Sequence, residues 1–298
     1  MKRKWFLLFL WIFAILISCF GMVVSEKKDC HILSVLSGSL FAIFIEKTKN
    51  AIEDVSDNIT WKESLRKLKR GKLITNTTLV RISFAYLFRI KIDNKYLLVK
   101  NERGTGKYQP VGGVYKFFDN EKNILMNKFK VVDDSKLPID KLSKNDYRLF
   151  VPCKFLKRFI NRFNSSLSSR ERIDDLSREF CEELGDVTNW ESIKYRYCGR
   201  HFTELRYSDY YQCYELLLAD VVDLELTDEQ KQGIVSFMSK RNQKYHFATN
   251  EEIKSRGIVS GTNKQKEIIS SHTEKILQDN EQFLIKEKYT GHIFEVSL

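Results

Sequence analysis

Glu179, Glu182 and Glu183 stand at positions i, i+3 and i+4 of a segment, Ser169 to Val187, that reads as one amphipathic helix ended by Gly185. Ile173, Leu176, Phe180 and Leu184 recur at helical spacing and form its apolar stripe, which leaves the three carboxylates crowded on another stripe. Like charges so placed repel by a few tenths of a kcal/mol per pair, and a divalent cation relieves that repulsion. Carboxylate oxygens completed by water and phosphate are the ligands that magnesium prefers. Upstream, Gly112 and Gly113 in the segment YQPVGGVYK would let main chain approach a phosphate closely, and Arg103 and Lys107 in the polar loop NERGTGK could pair with it. Together with Arg178 on the helix, these four residues form the expected nucleotide-binding set.

Elements that could position these groups are legible from pattern. From Thr78 the chain reads TLVRISFAYLFRIKI, a turn at Asp93-Asn94-Lys95, then YLLVK, which predicts a β-hairpin. A further strand is expected over Tyr210 to Asp220. Between Gly113 and the helix lie about fifty residues that include CKFLKRFINRF, where Phe155, Leu156, Phe159, Ile160 and Phe163 share one face and Lys154, Lys157, Arg158 and Arg162 another. That helix is expected in the core or as a lid rather than on a membrane.

The N-terminus has a different chemistry. Trp5 to Val24 contains no charge over about twenty residues, the length that crosses a hydrocarbon core. After the polar turn SEKKD, Cys30 to Ile45 is again free of Asp, Glu, Lys and Arg. The expectation is a two-helix transmembrane hairpin, with Lys2, Arg3 and Lys4 before it and Lys47 and Lys49 after it placing both termini in the cytoplasm. A cleaved signal peptide, for which Leu16-Ile17-Ser18-Cys19 would serve as a lipoprotein box, leaves Cys30 to Ile45 without an explanation. Residues 46–76 read as a juxtamembrane helical linker, with Lys62, Arg66, Lys67, Lys69, Arg70 and Lys72 forming a basic cluster before or after Gly71.

Composition constrains the rest. The net charge of +11 favours anionic partners, meaning nucleotides, nucleic acid or acidic headgroups. The six cysteines show no C-x-x-C pair, which argues against a zinc site or a disulfide framework and for a reducing compartment.

Arg178-Glu179-Phe180-Cys181-Glu182-Glu183-Leu184-Gly185 resembles the Arg-Glu-U-X-Glu-Glu-X-Gly core of the Nudix box. The hairpin, QPVGGV, the box and the late segment FATNEEI follow in the order of that family, and the resemblance covers about Thr78 to Gly257. It implies an α+β chain whose residues 77–298 form a Nudix-like α/β/α sandwich with a mixed sheet, the box helix holding magnesium through Glu179, Glu182 and Glu183. The chain departs from the pattern where the box should open: the Gly and Glu positions counted back from Arg178 hold Asn164 and Arg170, with Glu171, Asp174 or Asp175 as substitutes, and residues 115–168 form an insertion. A membrane hairpin joined to such a domain resembles the two-transmembrane Nudix effectors of cyclic-oligonucleotide antiphage systems (CBASS), whose soluble part is the SMODS-associated Nudix domain. That resemblance implies a multi-pass inner-membrane protein with cytoplasmic termini. Its expected partners are a cyclic nucleotide made by a cognate nucleotidyltransferase, membrane lipid and further copies of itself, and nucleic acid is not among them. A tethered magnesium-dependent hydrolase of nucleoside diphosphate derivatives is the competing expectation.

Overall fold

The computed structural model describes residues 2–27, 31–56, 61–101, 105–136, 143–185, 190–238, 243–258 and 268–298. The chain divides into two compact units, Met1–Ser64 and Leu65–Leu298.

In the first unit, α1 (Lys2–Lys27) and α2 (His31–Ser56) pack antiparallel. The rings of Trp11 and Phe44 lie 6.0 Å apart, and Gly21 leaves room for the Ser37 hydroxyl. Along α1, Phe6, Phe9, Phe13, Leu16, Ile17 and Phe20 are exposed, a surface that water does not favour. Leu8–Ser25 is the one stretch among the described residues that is long and apolar enough to cross a membrane. The second helix is present, and its apolar part ends at Glu46 and Lys47. Cys30 lies outside the described residues.

The division between the units falls within α3 (Trp61–Arg70), closed as expected at Gly71, whose N–H donates to the Lys67 carbonyl at 2.9 Å; the second unit follows from Leu65. Its centre is β1 (Leu79–Arg89), which runs parallel to β10 (Cys213–Glu225). On the far side of β10 lie β8 (Ser192–Phe202) and then β12 (Ile293–Ser297), both antiparallel, while β9 (Arg206–Ser208) pairs with the start of β10. The other edge of β1 is shared: β7 (Arg148–Pro152) pairs with Leu79–Ser83, and β5 (Gly112–Val114) pairs with Ala85–Leu87. The mixed sheet expected from the resemblance is therefore present. A second sheet forms around β3 (Lys95–Lys100), joined by β2 (Lys91–Ile92), β4 (Tyr108–Pro110) and β11 (Tyr245–Ala248). Asp93 and Asn94 make the β2–β3 turn with φ of 47° and 62°, a left-handed pair that short polar side chains tolerate.

Strand alternation gives β1 and β10 two different faces. One carries Phe84, Tyr86 and Phe88 and meets α5 (Leu156–Phe163), where the Phe163 ring stacks on Phe84 at 3.8 Å. Leu156, Phe159, Ile160 and Phe163 are all buried, so this helix is core. The opposite face carries Leu87 and Ala219, packed with Tyr96, Leu98, Ala248, Ile276 and Leu277. The segment between β5 and the Nudix-like helix thus supplies α4 (Asp119–Phe129), the strands β6 (Val132–Asp133) and β7 of the main sheet, and the covering helix α5.

Candidate functional site

The helix bearing the carboxylates, α6, spans Ser177–Leu184, and not the longer Ser169–Val187 that periodicity predicts. The preceding residues are held extended. Ser169 accepts from the Phe118 amide at 3.0 Å, Arg170 bridges Phe117, and the Glu171 amide donates to the Lys116 carbonyl at 2.9 Å. Sheet-like pairing with residues 116–118 satisfies the main-chain groups that a helix would otherwise use. Asp175, just before the helix, accepts from the Ser177 hydroxyl at 2.7 Å and from the Ser177 amide at 3.3 Å.

Leu176, Phe180 and Leu184 are buried, and the Phe180 ring packs edge-on to Phe88 with centroids 5.6 Å apart. This anchor turns Arg178, Glu179 and Glu182 to one side. Arg178 Nη1 donates to Glu179 at 2.7 Å and to Glu182 at 3.0 Å, while its Nε donates to Glu171. Its Nη2 donates to the second Glu171 oxygen and to the Val114 carbonyl, each at 3.2 Å, with the Tyr86 hydroxyl at 3.5 Å. Three carboxylates thus surround one guanidinium. Glu171, which pairs with Arg178, lies one residue beyond the position where the box pattern expects its first Glu.

Charge imbalance shows in the proton equilibria. Burial pushes Glu179 up to about 7, opposed by Arg178 and reinforced by Glu182 and Glu183. Burial, joined by the negative charge of Glu179 and Glu171, drives Tyr86 far above the ordinary phenol range. Arg178 is held above its ordinary value: burial works against its charge, and the Glu171 hydrogen bond and surrounding carboxylates outweigh that.

The two glycines serve packing at this site. A Cβ on Gly113 would overlap the Glu179 carboxyl, and one on Gly112, whose φ is 155°, would run into the Tyr86 carbonyl. They close β5 onto β1 and seat α6 above it. Arg103 lies outside the described residues, and Lys107 is half-buried in the loop entering β4 of the second sheet. The Glu183 main-chain carbonyl accepts from the Tyr245 hydroxyl at 2.9 Å.

In kind, the oxygens of Glu171, Glu179 and Glu182 suit magnesium. In arrangement they converge on Arg178, and among the described residues no group of three or more His, Cys, Asp or Glu side chains gathers as a metal site does. Sequence periodicity also passed over Asp220. It lies in the apolar run LLLADVVDL and accepts from Arg200 Nε at 2.7 Å and Nη2 at 2.9 Å, from Tyr197 at 2.7 Å and from Tyr115 at 2.8 Å. Burial opposes ionisation of its carboxyl, but these partners hold it below the ordinary carboxylate range. An acid flanked on both sides by apolar residues of a strand is the sequence signal for such a network.

No curated protein and no solved structure matches this chain. The family model for the SMODS-associated NUDIX domain matches residues 79–277, from the first residue of β1 to the buried Leu277, and spans the whole Arg178 cluster. The chain belongs to the SMODS-associated NUDIX domain family.

Proposed function

We propose that this protein is a membrane-anchored effector of a cyclic-oligonucleotide antiphage (CBASS) system. Its NUDIX domain senses a cyclic nucleotide supplied by a cognate nucleotidyltransferase, and its N-terminal helices assemble with those of other copies to breach the inner membrane. In this reading α1 and α2 both cross, and both termini are cytoplasmic. The observation that supports it is the fusion of a SMODS-associated NUDIX domain to a helix able to span a bilayer. The Arg178 cluster supports binding over turnover, because Glu179 and Glu182, two of the three carboxylates expected to hold magnesium, are paired with a guanidinium.

The second reading, a tethered magnesium-dependent hydrolase, rests on the same carboxylates. Full-length protein in dye-loaded liposomes separates the two. An effector releases dye when the cognate cyclic nucleotide is added, and the Glu182→Gln/Glu183→Gln variant still does so. Magnesium-dependent cleavage of nucleoside diphosphate derivatives that the variant loses by several powers of ten, with no nucleotide-triggered leakage, establishes the hydrolase instead.

A further inference from the structure

The face of the main sheet opposite Tyr86 and Asp220 carries a cluster of basic side chains to which the Arg178 site contributes nothing. His201 lies opposite Ala219 in the β8–β10 pairing, and Arg206 lies opposite Glu215 in the β9–β10 pairing. Glu215, Leu217 and Ala219 alternate onto one face of β10, so His201 and Arg206 flank that face roughly 13 Å apart along the strand. Ala85 and Leu217, on the same face, are half-buried within strands whose flanking residues are mostly buried.

The segment Ser271–Ile276 packs against this face through Ile276, which shares a core cluster with Leu87 and Ala219. Ile276 and Leu277 are completely buried, and the Arg89 guanidinium donates to both of their carbonyls. His272, Thr273 and Lys275 are fixed with it. Lys275 is within electrostatic reach of His201, His272, Arg206 and Glu215.

The charges do not balance. Glu215 is the acid near Lys275, and its carboxylate already accepts from Arg81 at 3.1 Å. Lys275 has no hydrogen-bond or ion-pair partner among the described residues, whereas His201 Nδ1 and Thr273 Oγ1 are buried polar atoms without one. Burial, aided by the neighbouring cations, pushes Lys275 down to about 8 and both histidines down to about 4. Unpartnered buried polar atoms and a desolvated ammonium, with Glu215 already paired to Arg81, disfavour a bound cation and favour an anion with several acceptor oxygens.

We propose that His201, His272, Thr273 and Lys275, with Arg206 at the rim, form a binding site for a phosphate-bearing ligand on the sheet face opposite α6. Lys275 supplies charge and three N–H donors, Thr273 a hydroxyl, and the neutral imidazoles one N–H each. Only the identity of the phosphate carrier, the phosphodiester of a cyclic nucleotide, rests on the sensing reading.

The test is calorimetric titration of the full-length chain in detergent micelles with pyrophosphate and a panel of cyclic di- and trinucleotides. The wild type binds pyrophosphate and a cyclic nucleotide. Lys275→Met weakens both at least tenfold and Arg206→Gln at least threefold, whereas Lys231→Met, an equal loss of charge on an exposed helix, changes neither. Lys275→Met removes a cation that has no partner, and the exposed Arg206 gives a second variant that does not challenge folding. Pyrophosphate binding that depends on Lys275, without nucleotide binding, upholds the pocket and rejects nucleotide sensing. Nucleotide binding indifferent to both pocket variants upholds sensing and overturns the pocket. Absence of binding to either probe overturns the pocket, as does an equal loss with Lys231→Met.

Discussion

Arg178 and Glu171 meet through two hydrogen bonds, although one residue lies on a helix and the other in an extended segment seven positions earlier. The pair ties the start of α6 to the strand-like run at Lys116, whose amide donates to the same Glu171 carboxylate at 2.9 Å. Replacing Arg178 with Gln leaves Glu171, Glu179 and Glu182 facing one another. Breaking a fully buried pair costs about 3–5 kcal/mol; with the Arg178 side chain 27% exposed, the loss should be about 2–3 kcal/mol in urea unfolding. A double-mutant cycle with Glu171→Gln should give a coupling of about 1 kcal/mol or more, and simple additivity would contradict the pairing.

Glu179 makes stability depend on pH. Its folded-state value of about 7 lies above its ordinary 4.5, so the folded protein holds a proton that the unfolded chain releases. This contribution is complete below pH 4.5 and is lost as the pH rises through about 7. Glu179→Gln cannot ionise and escapes that loss. Relative to wild type, the variant should gain about 2–3 kcal/mol between pH 5 and pH 8 in chelator-containing buffer, read from unfolding midpoints. A difference that does not change with pH would show that Glu179 is ionised throughout.

Gly112 and Gly113 should differ in how they tolerate a methyl group. The Gly112 Cβ would meet the main-chain carbonyl of Tyr86, which cannot turn away, so Gly112→Ala should cost about 2 kcal/mol or more. At Gly113 the obstacle is the Glu179 side chain. Gly113→Ala should therefore be destabilising alone and largely recovered by Glu179→Ala, as thermal unfolding of the single and double variants would record. Failure of the second substitution to rescue the first would place the strain elsewhere.

The sequence by itself determined what depends on neighbours a few residues away. The uncharged span through Val24 makes a helix of bilayer length, Asp93-Asn94 makes a tight hairpin, and the spacing of Leu176, Phe180 and Leu184 makes a helix with one buried stripe. These follow from backbone sterics, side-chain periodicity and desolvation, all of which act locally. The start of α6 was decided by tertiary structure, because residues 169–171 gain main-chain hydrogen bonds from residues 116–118, about fifty positions away. The same holds for the partners of its carboxylates, since periodicity identifies a crowded stripe but not the guanidinium and the Glu171 carboxylate that share it. Asp220 and Arg200 meet because two strands pair in one register, and His201 and Lys275 come together because the pinned Ser271–Ile276 segment lies on one particular face of the sheet. A one-residue slip of β8 against β10 would send His201 to the other face. Register and face are properties of the assembled sheet, which is why these sites exist only in the folded protein.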